Sequence, residues 1–374
     1  MRALAQAEPF SPYLARVARR MPEFVQKLEA EGPEKALEDC LVRIGAAPRV
    51  AATMTPRATT TQTRGATTTL EAPMKTLRRA KEAAHLAIAA ADLAGIWTLD
   101  QVVERITQLA DASVQAALKL AIREAWATGR LGETRDSDEL PGLFVLAMGK
   151  MGARELNYSS DIDLIVLFDL DVLPVEGARA KEAMLRLTRD LVRILEERTE
   201  DGYVFRTDLR LRPDPASTAP AISTQFALGY YESVGQNWER MAHVKARVCA
   251  GDEATGKAFL EELAPYVWRR HLDYWAIADI HSIKRQIHSH GGHADLASLD
   301  FDVKLGRGGV REIEFFTQVQ QLILGGRFPE IRSPQTKAAL AEMTERQSVA
   351  PEGAEDLVRA DDVLRTLEHR IQMV

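Results

Sequence analysis

The stretch LAMGKMGARELNYSSDIDLIVLFD, residues 146–169, sets two aspartates at the mouth of an apolar strand. Asp161 and Asp163 flank Ile162, and residues 164–168 follow without a polar side-chain atom. In a strand, positions i and i+2 share a face. The two carboxylates therefore project together and repel unless a cation neutralises them. Carboxylate oxygens suit hard divalent ions such as Mg²⁺ or Mn²⁺. A third acid, Asp208, lies in RTDLRLRP on the next expected strand. If those strands are neighbours, three carboxylates meet at one sheet edge. Such an edge can hold two metals roughly 3.5–4 Å apart, able to stabilise attacking and leaving oxygens at a phosphorus centre. A lone D-x-D is most often a solvated strand end. Here a small-residue turn precedes it, an apolar strand follows it and a later strand supplies another acid. Together these favour a catalytic reading.

Working outward, LFVLAMG reads as a buried strand, KMGARELNYSS as a turn with a short helix, and DIDLIVLFDL as a second strand. EGARAKEAMLRLTRDLVRILEERTEDG is an amphipathic helix with Met184, Leu187, Leu191, Ile194 and Leu195 on one side. YVFRTDLRLRP is a third strand, ended by Pro213. The β-α-β-α-β order predicts a mixed sheet carrying helices, an α+β arrangement. Residues 141–250 form this core. Residues 1–140 read as a helical region, starting at Ser11-Pro12, with a Thr-rich surface linker near 51–73 and a stop at Gly129. Residues 251–374 are mostly helical. The closing LRTLEHRIQMV runs in helical register with no stop signal, which suggests one piece of a longer protein.

With 374 residues and 46% apolar composition, the chain is long enough for more than one lobe. A net charge of −6 argues against a general nucleic-acid binder. Cys40 and Cys249 form no CxxC pair, so zinc and redox motifs lack support, and two unpaired thiols fit a reducing cytosol. The N-terminus lacks the apolar run of a signal peptide, and no stretch of about 18 apolar residues predicts a membrane span.

Arg206, Asp208, Arg210 and Arg212 alternate with Thr207, Leu209 and Leu211, so all four share a face in an extended strand. Such a stripe usually meets solvent, but the third acid on it favours a phosphate contact by at least one arginine. Gly149 and Gly152 bracket Lys150, either as a tight turn or as amides facing a phosphate. KLGRGGVREIEFF places Lys304 and a glycine loop before a helix bearing Arg311, Glu312 and Glu314. The two glutamates also suit a helix first turn. In NWERMAHVKARVCAGD, the residues Glu239, Arg240, Lys245 and Arg247 read as helix-surface charges by default. His288, His290 and His293 in HSHGGHAD read as a loop first and a metal site second.

GKMGARELNYSSDIDLIVLFD, FRTDLRLRPDP, YYESVGQNWERMAHVKARVCAGD and VKLGRGGVREIEFFTQ, in this order, resemble the bifunctional glutamine synthetase adenylyltransferase/adenylyl-removing enzymes. The resemblance covers roughly residues 75–374; the Thr-rich segment at 53–69 departs from it. It implies a polymerase β-like nucleotidyltransferase core embedded between mostly helical segments. The wording R-E-L-N-x-S-S-D-I-D-L resembles the family's N-terminal copy, which removes AMP from glutamine synthetase by phosphorolysis and releases ADP. Asp161, Asp163 and Asp208 would then hold Mg²⁺ or Mn²⁺. Gly149, Lys150, Ser159 and Ser160 would line the phosphate side, with Arg206, Arg210, Arg212, Lys245 and Lys304 as further nucleotide or phosphate contacts. Glu239, Arg311, Glu312 and Glu314 complete the candidate set. Ser160 takes the superfamily's serine position, whereas Ser159 replaces its usual glycine, a feature against efficient transfer from ATP. The resemblance also implies glutamine synthetase and a PII-type signal protein as partners, ATP, ADP and phosphate as ligands, and a cytoplasmic setting. With a single copy present, the adenylylating activity is not expected to be complete. The other readings are adenylyl transfer to the same tyrosine and a non-catalytic nucleotide- or signal-protein-binding module.

Overall fold

The computed structural model describes residues 11–52, 70–175, 177–270 and 302–374. The Thr-rich segment 53–69 and the His288/His290/His293 segment lie outside these residues. Helix α1 (Pro12–Arg20) starts at Ser11, whose hydroxyl accepts from the Leu14 amide at 3.2 Å. Helix α2 (Pro22–Ala52) is broken at Gly32, where φ is 83° and Pro33 follows. Helix α3 (Glu71–Leu93) carries Ala80, Ala83, Ala84, Ala87 and Ala91, all buried, so α2 can approach it closely. Helix α4 (Leu99–Ala127) opens with a capping box between Thr98 and Gln101. It ends before Gly129, whose φ of +68° suits glycine.

Five strands form one mixed sheet. Strand β1 (Leu143–Ala147) is the centre, antiparallel to β2 (Ile162–Phe168) on one side and to β5 (Arg247–Gly251) on the other. The outer edge of β2 is shared lengthwise by two short parallel strands. β3 (Thr207–Asp208) pairs with its start and β4 (Ala221–Ser223) with its end. Between β1 and β2 the chain makes the single-turn helix α5 (Gly149–Gly152), and helix α6 (Gly177–Glu196) connects β2 to β3. Alternate strand residues feed two cores. Leu143, Val145, Ala147, Leu164, Val166 and Phe168 pack with α3, α4 and α6. Phe144, Leu146, Ile165 and Leu167 pack with α7 (Thr224–Ser233), α8 (Asn237–His243), α9 (Glu253–Val267) and α10 (Val310–Leu324). Burial on both faces explains the unbroken apolar runs. The chain then passes through a 3₁₀ turn (Pro329–Arg332), α11 (Thr336–Glu345) and α12 (Pro351–Met373). The last helix returns to the first: Ser11 donates its hydroxyl to the Met373 carbonyl, and Leu14, Val17, Leu86 and Met373 form a small core there.

The α+β class holds, and so do the first two strands and the long helix after them. Two local expectations need correction. The third strand is only two residues long. The chain turns after Asp208, so Arg206, Asp208, Arg210 and Arg212 do not form one stripe. Second, residues 247–251, expected to continue a helix, are edge strand β5. There Val248 and Cys249 suit a pleated surface, and Arg247 reaches back to Asp111 and to the Gly152 and Met151 carbonyls.

Candidate active site

The turn after β1 builds the floor. The Met148 amide donates to the Asp163 carbonyl at 2.9 Å, tying the turn to β2. Gly149 adopts φ +52°, and a Cβ there would lie 2.5 Å from the Asp163 carboxylate. Gly152 is tighter still: its Cβ would meet the Lys245 carbonyl at 2.0 Å and that of Ala147 at 2.7 Å. Both glycines are thus explained by close approach, and α5, with four residues, is too short to act as a phosphate-binding helix.

On β2, Asp163 sits directly opposite Asp208 of β3. Asp161 lies just before β2, two residues ahead of Asp163. The Asp163 carboxyl is pushed up to about 6, first by burial and then by the Asp208 charge, with Asp161 adding to it and Lys304 opposing it. It makes no side-chain hydrogen bond within the described residues. Asp208 is held below the usual carboxylate range by Arg210. That guanidinium grips it through Nε at 3.0 and 2.9 Å and Nη2 at 2.6 Å, and the Arg210 amide adds a bond of 2.8 Å. Asp161 pairs with Arg206, which also donates to the Ser159 carbonyl at 2.6 Å and the Tyr203 hydroxyl at 3.2 Å.

These acids open into a cavity of about 580 Å³. Gly149, Lys150, Ser160, Asp161, Asp163, Asp208, Arg210, Lys245, Lys304, Arg311 and Glu314 all line it, from the candidate set. Among the described residues no three His, Cys, Asp or Glu side chains are arranged as a ready metal cage. The reason is visible: Arg206 and Arg210 occupy two of the three carboxylates. The donor chemistry nonetheless fits a hard divalent cation. Asp163 is an acid without a counter-charge bonded to it, and oxygen donors of two more acids stand beside it.

Lys245 is buried and does not point freely into the cavity. It pairs with Glu314 at 3.3 Å and Glu155 at 3.5 Å. Burial alone would lower its ammonium, but those two carboxylates outweigh it and the net direction is upward. Arg365 of α12 completes the cluster, reaching Glu314 at 3.0 Å, Glu155 at 3.1 Å and Asp361 at 2.9 Å. Lys150 is held by Glu368 at 3.2 Å, which also accepts from Asn157 at 2.6 Å. The Ser159 amide is bonded to Gln372 at 2.9 Å rather than facing the cavity. Besides Ser159 and Arg206, three more candidates do not line the cavity. Arg212 folds back on the carbonyls of Leu209, Pro215, Thr218 and Ala219 and shapes its own loop. Glu239 is buried as the capping-box acid of α8. Glu312 accepts from the Gly308 amide at 2.7 Å and steadies the glycine loop. Sequence reasoning passed over Trp238, Phe315 and Gln318, which also line the cavity. The signal available was Trp238, the aromatic residue just inside α8.

Residues 1–262 match the family profile described as glutamate-ammonia ligase adenylyltransferase. The chain belongs to the glutamate-ammonia ligase adenylyltransferase family. Residues 281–374 of this family member match a further profile, described as GlnD PII-uridylyltransferase. Relatives named bifunctional glutamine synthetase adenylyltransferase/adenylyl-removing enzyme include one from Caulobacter vibrioides, 49% identical over 100% of this chain and 36% of its own length. Another, from Brucella suis, is 48% identical over 97% of the chain and 36% of its length. A third, from a Bradyrhizobium species, is 52% identical over 80% of the chain and 31% of its length. The chain thus spans about a third of the length of these relatives. Among the described residues no helix is long and apolar enough to cross a membrane.

Proposed function

We propose that this chain removes AMP from adenylylated glutamine synthetase by phosphorolysis. The observation that carries this reading is the register of Asp163 against Asp208 across β2 and β3, with Asp161 lining the same cavity. An oxygen of inorganic phosphate forms a bond to the AMP phosphorus. The bond from that phosphorus to the tyrosine oxygen breaks, its electron pair leaves with the phenolate, and ADP departs. The phenolate, whose acid has a pKa of about 10, takes a proton from water. Asp161, Asp163 and Asp208 would hold Mg²⁺ or Mn²⁺, which supplies charge compensation at the phosphorus oxygens and the leaving group. Lys304 and Arg311 face the same cavity and attract the incoming phosphate. Trp238 and Phe315 offer an apolar wall for the adenosine. Arg210 holds Asp208 and also lines the cavity, where its guanidinium would pair with phosphate oxygens. A cytoplasmic setting and a PII-type signal partner belong to this reading, the latter supported by the uridylyltransferase likeness of residues 281–374.

The relatives' names also contain adenylyl transfer, so the reverse use of the same acids is the second reading. The products separate them. Incubation with adenylylated glutamine synthetase, Mg²⁺, phosphate and PII-type protein is expected to release ADP. Pyrophosphate from ATP, with no ADP from phosphate, would reverse the assignment.

A further inference from the structure

A second cavity, of about 440 Å³, opens on the other side of the Ser159 backbone, between α1, α3 and the turn at residues 199–203. Of the cations lining it, Arg20 pairs with Glu82 and Asp201 and Arg78 is taken up by the Met74, Glu197 and Gly202 carbonyls, while Lys81 and Arg16 have no carboxylate in salt-bridge range among the described residues. The Lys81 ammonium stands 5.5 Å from the ring centres of both Tyr203 and Phe205. The Arg16 guanidinium lies 5.7 Å over Tyr13. Burial pushes Lys81 down to about 8, Glu82 opposing and Arg206 adding to the shift. Also lining the cavity are two buried groups with an unsatisfied atom each. Among the described residues His85, 6% exposed, has no partner for Nε2, and Glu82, 9% exposed, has none for Oε2, its Oε1 pairing with Arg20 at 3.5 Å. Burial, then the Lys81 charge, holds the imidazole neutral. Unpaired cations beside aromatic rings, with orphaned polar atoms in the same cavity, describe a recess built for a molecule it must complete.

We propose that this cavity binds a small organic anion that also carries a hydrogen-bond donor, its charged group at Lys81 and Arg16 and its donor at Glu82 and His85. The site is separate from the catalytic acids and coupled to them. Arg206 bonds Tyr203 and Ser159, which line this recess, and pairs with Asp161, which lines the other. An anion beside Lys81 draws the Arg206 guanidinium toward itself and loosens its hold on Asp161. Occupancy therefore changes the charge at the catalytic edge without a residue moving far.

The test reads acylation of the Lys81 amine by acetic anhydride, located by mass spectrometry in the full chain. AMP supplies a phosphate head with an exocyclic amine, and aspartate a carboxylate head with an ammonium. Inorganic phosphate and succinate supply the heads alone. At least one donor-bearing probe is expected to slow Lys81 labelling tenfold or more, far beyond its donor-less counterpart, and the one that does so names the head group. The protection is expected to persist in Asp163→Asn and to fall to the donor-less level in Glu82→Gln. Lys81→Met is expected to lose one binding equivalent in equilibrium dialysis while keeping unliganded ADP release. No protection by any probe, protection lost in Asp163→Asn, or protection unaltered in Glu82→Gln would each overturn the proposal.

Discussion

Asp163 concentrates a stability cost in one side chain. Its carboxyl sits at about 6, against an ordinary value of 3.8. As pH rises through that window the unfolded chain releases its proton before the folded one does. Stability of the metal-free protein therefore falls between about pH 4 and pH 6, by at most ~2–3 kcal/mol. Asp163→Asn removes this cost. In EDTA at pH 7 its melting temperature is expected to exceed that of the unmodified chain, with the difference gone at pH 4. Added Mg²⁺ is expected to raise the melting temperature of the unmodified chain and leave Asp163→Asn nearly unmoved. Equal melting temperatures at pH 7 in EDTA would mean that neither burial nor the neighbouring acids penalise the Asp163 charge. At this scale the sequence was informative where a simple period applied: Asp161 and Asp163 line the same cavity, as a repeat of two residues at the strand's start suggested. Arg212 and Glu239 were misplaced because Arg212 bonds only carbonyls of its own loop and Glu239 bonds the Gln236 amide and the Tyr230 hydroxyl nearby, and such local bonds leave no mark distinct from a charged surface.

The sheet elements show where local pattern stops deciding structure. β1 and β2 were legible because both faces are buried and the apolar runs are continuous. β3 was read too long. Two residues suffice to place Asp208 opposite Asp163, and the Arg210 side chain and amide then hold the turned chain. β4 went unseen because three residues, Ala221–Ser223, are too few for any period. The Gly149–Gly152 turn was an ambiguous signal in sequence and is a packing requirement in space. Gly152→Ala would drive a methyl into the Lys245 and Ala147 carbonyls. Backbone must move, and a loss of about 3 kcal/mol or more in urea denaturation is expected. A loss under 1 kcal/mol would show that β1, β5 and the turn can separate at little cost. Gly149→Ala presses on the Asp163 carboxylate instead. It is expected to weaken Mn²⁺ binding, read by electron paramagnetic resonance, more than tenfold.

Across the whole molecule, the candidate cavity depends on charges brought together from distant parts of the chain. Glu155 and Lys245 lie in the part matched by the adenylyltransferase profile. Glu314, Asp361 and Arg365 lie in the part matched by the uridylyltransferase profile. Burial would raise the Glu314 carboxyl, but Lys245, Arg365 and Lys150 drive it far below the usual range. Removing one member strands the others. Arg365→Met leaves three buried carboxylates short of a partner and is expected to cost about 3–5 kcal/mol. Chemical denaturation of the full chain reads this, and a change below 1 kcal/mol would mean the two parts do not rely on the cluster. The pairings of Lys245 and Arg365 with Glu155 and Glu314 were not legible in sequence, because those partners lie from 51 to 210 residues apart, whereas Arg365 and Asp361 are four residues apart on α12. The order of the four quoted motifs was legible, and it led to the family. The central claim, that acids of β2 and β3 act jointly at an adenylyl phosphorus, is tested most directly by the initial rate of phosphate-dependent ADP release from adenylylated glutamine synthetase. For Asp163→Asn beside the unmodified chain, the expected result is a fall of about a thousandfold or more, with folding intact. An undiminished rate in that variant would contradict the claim.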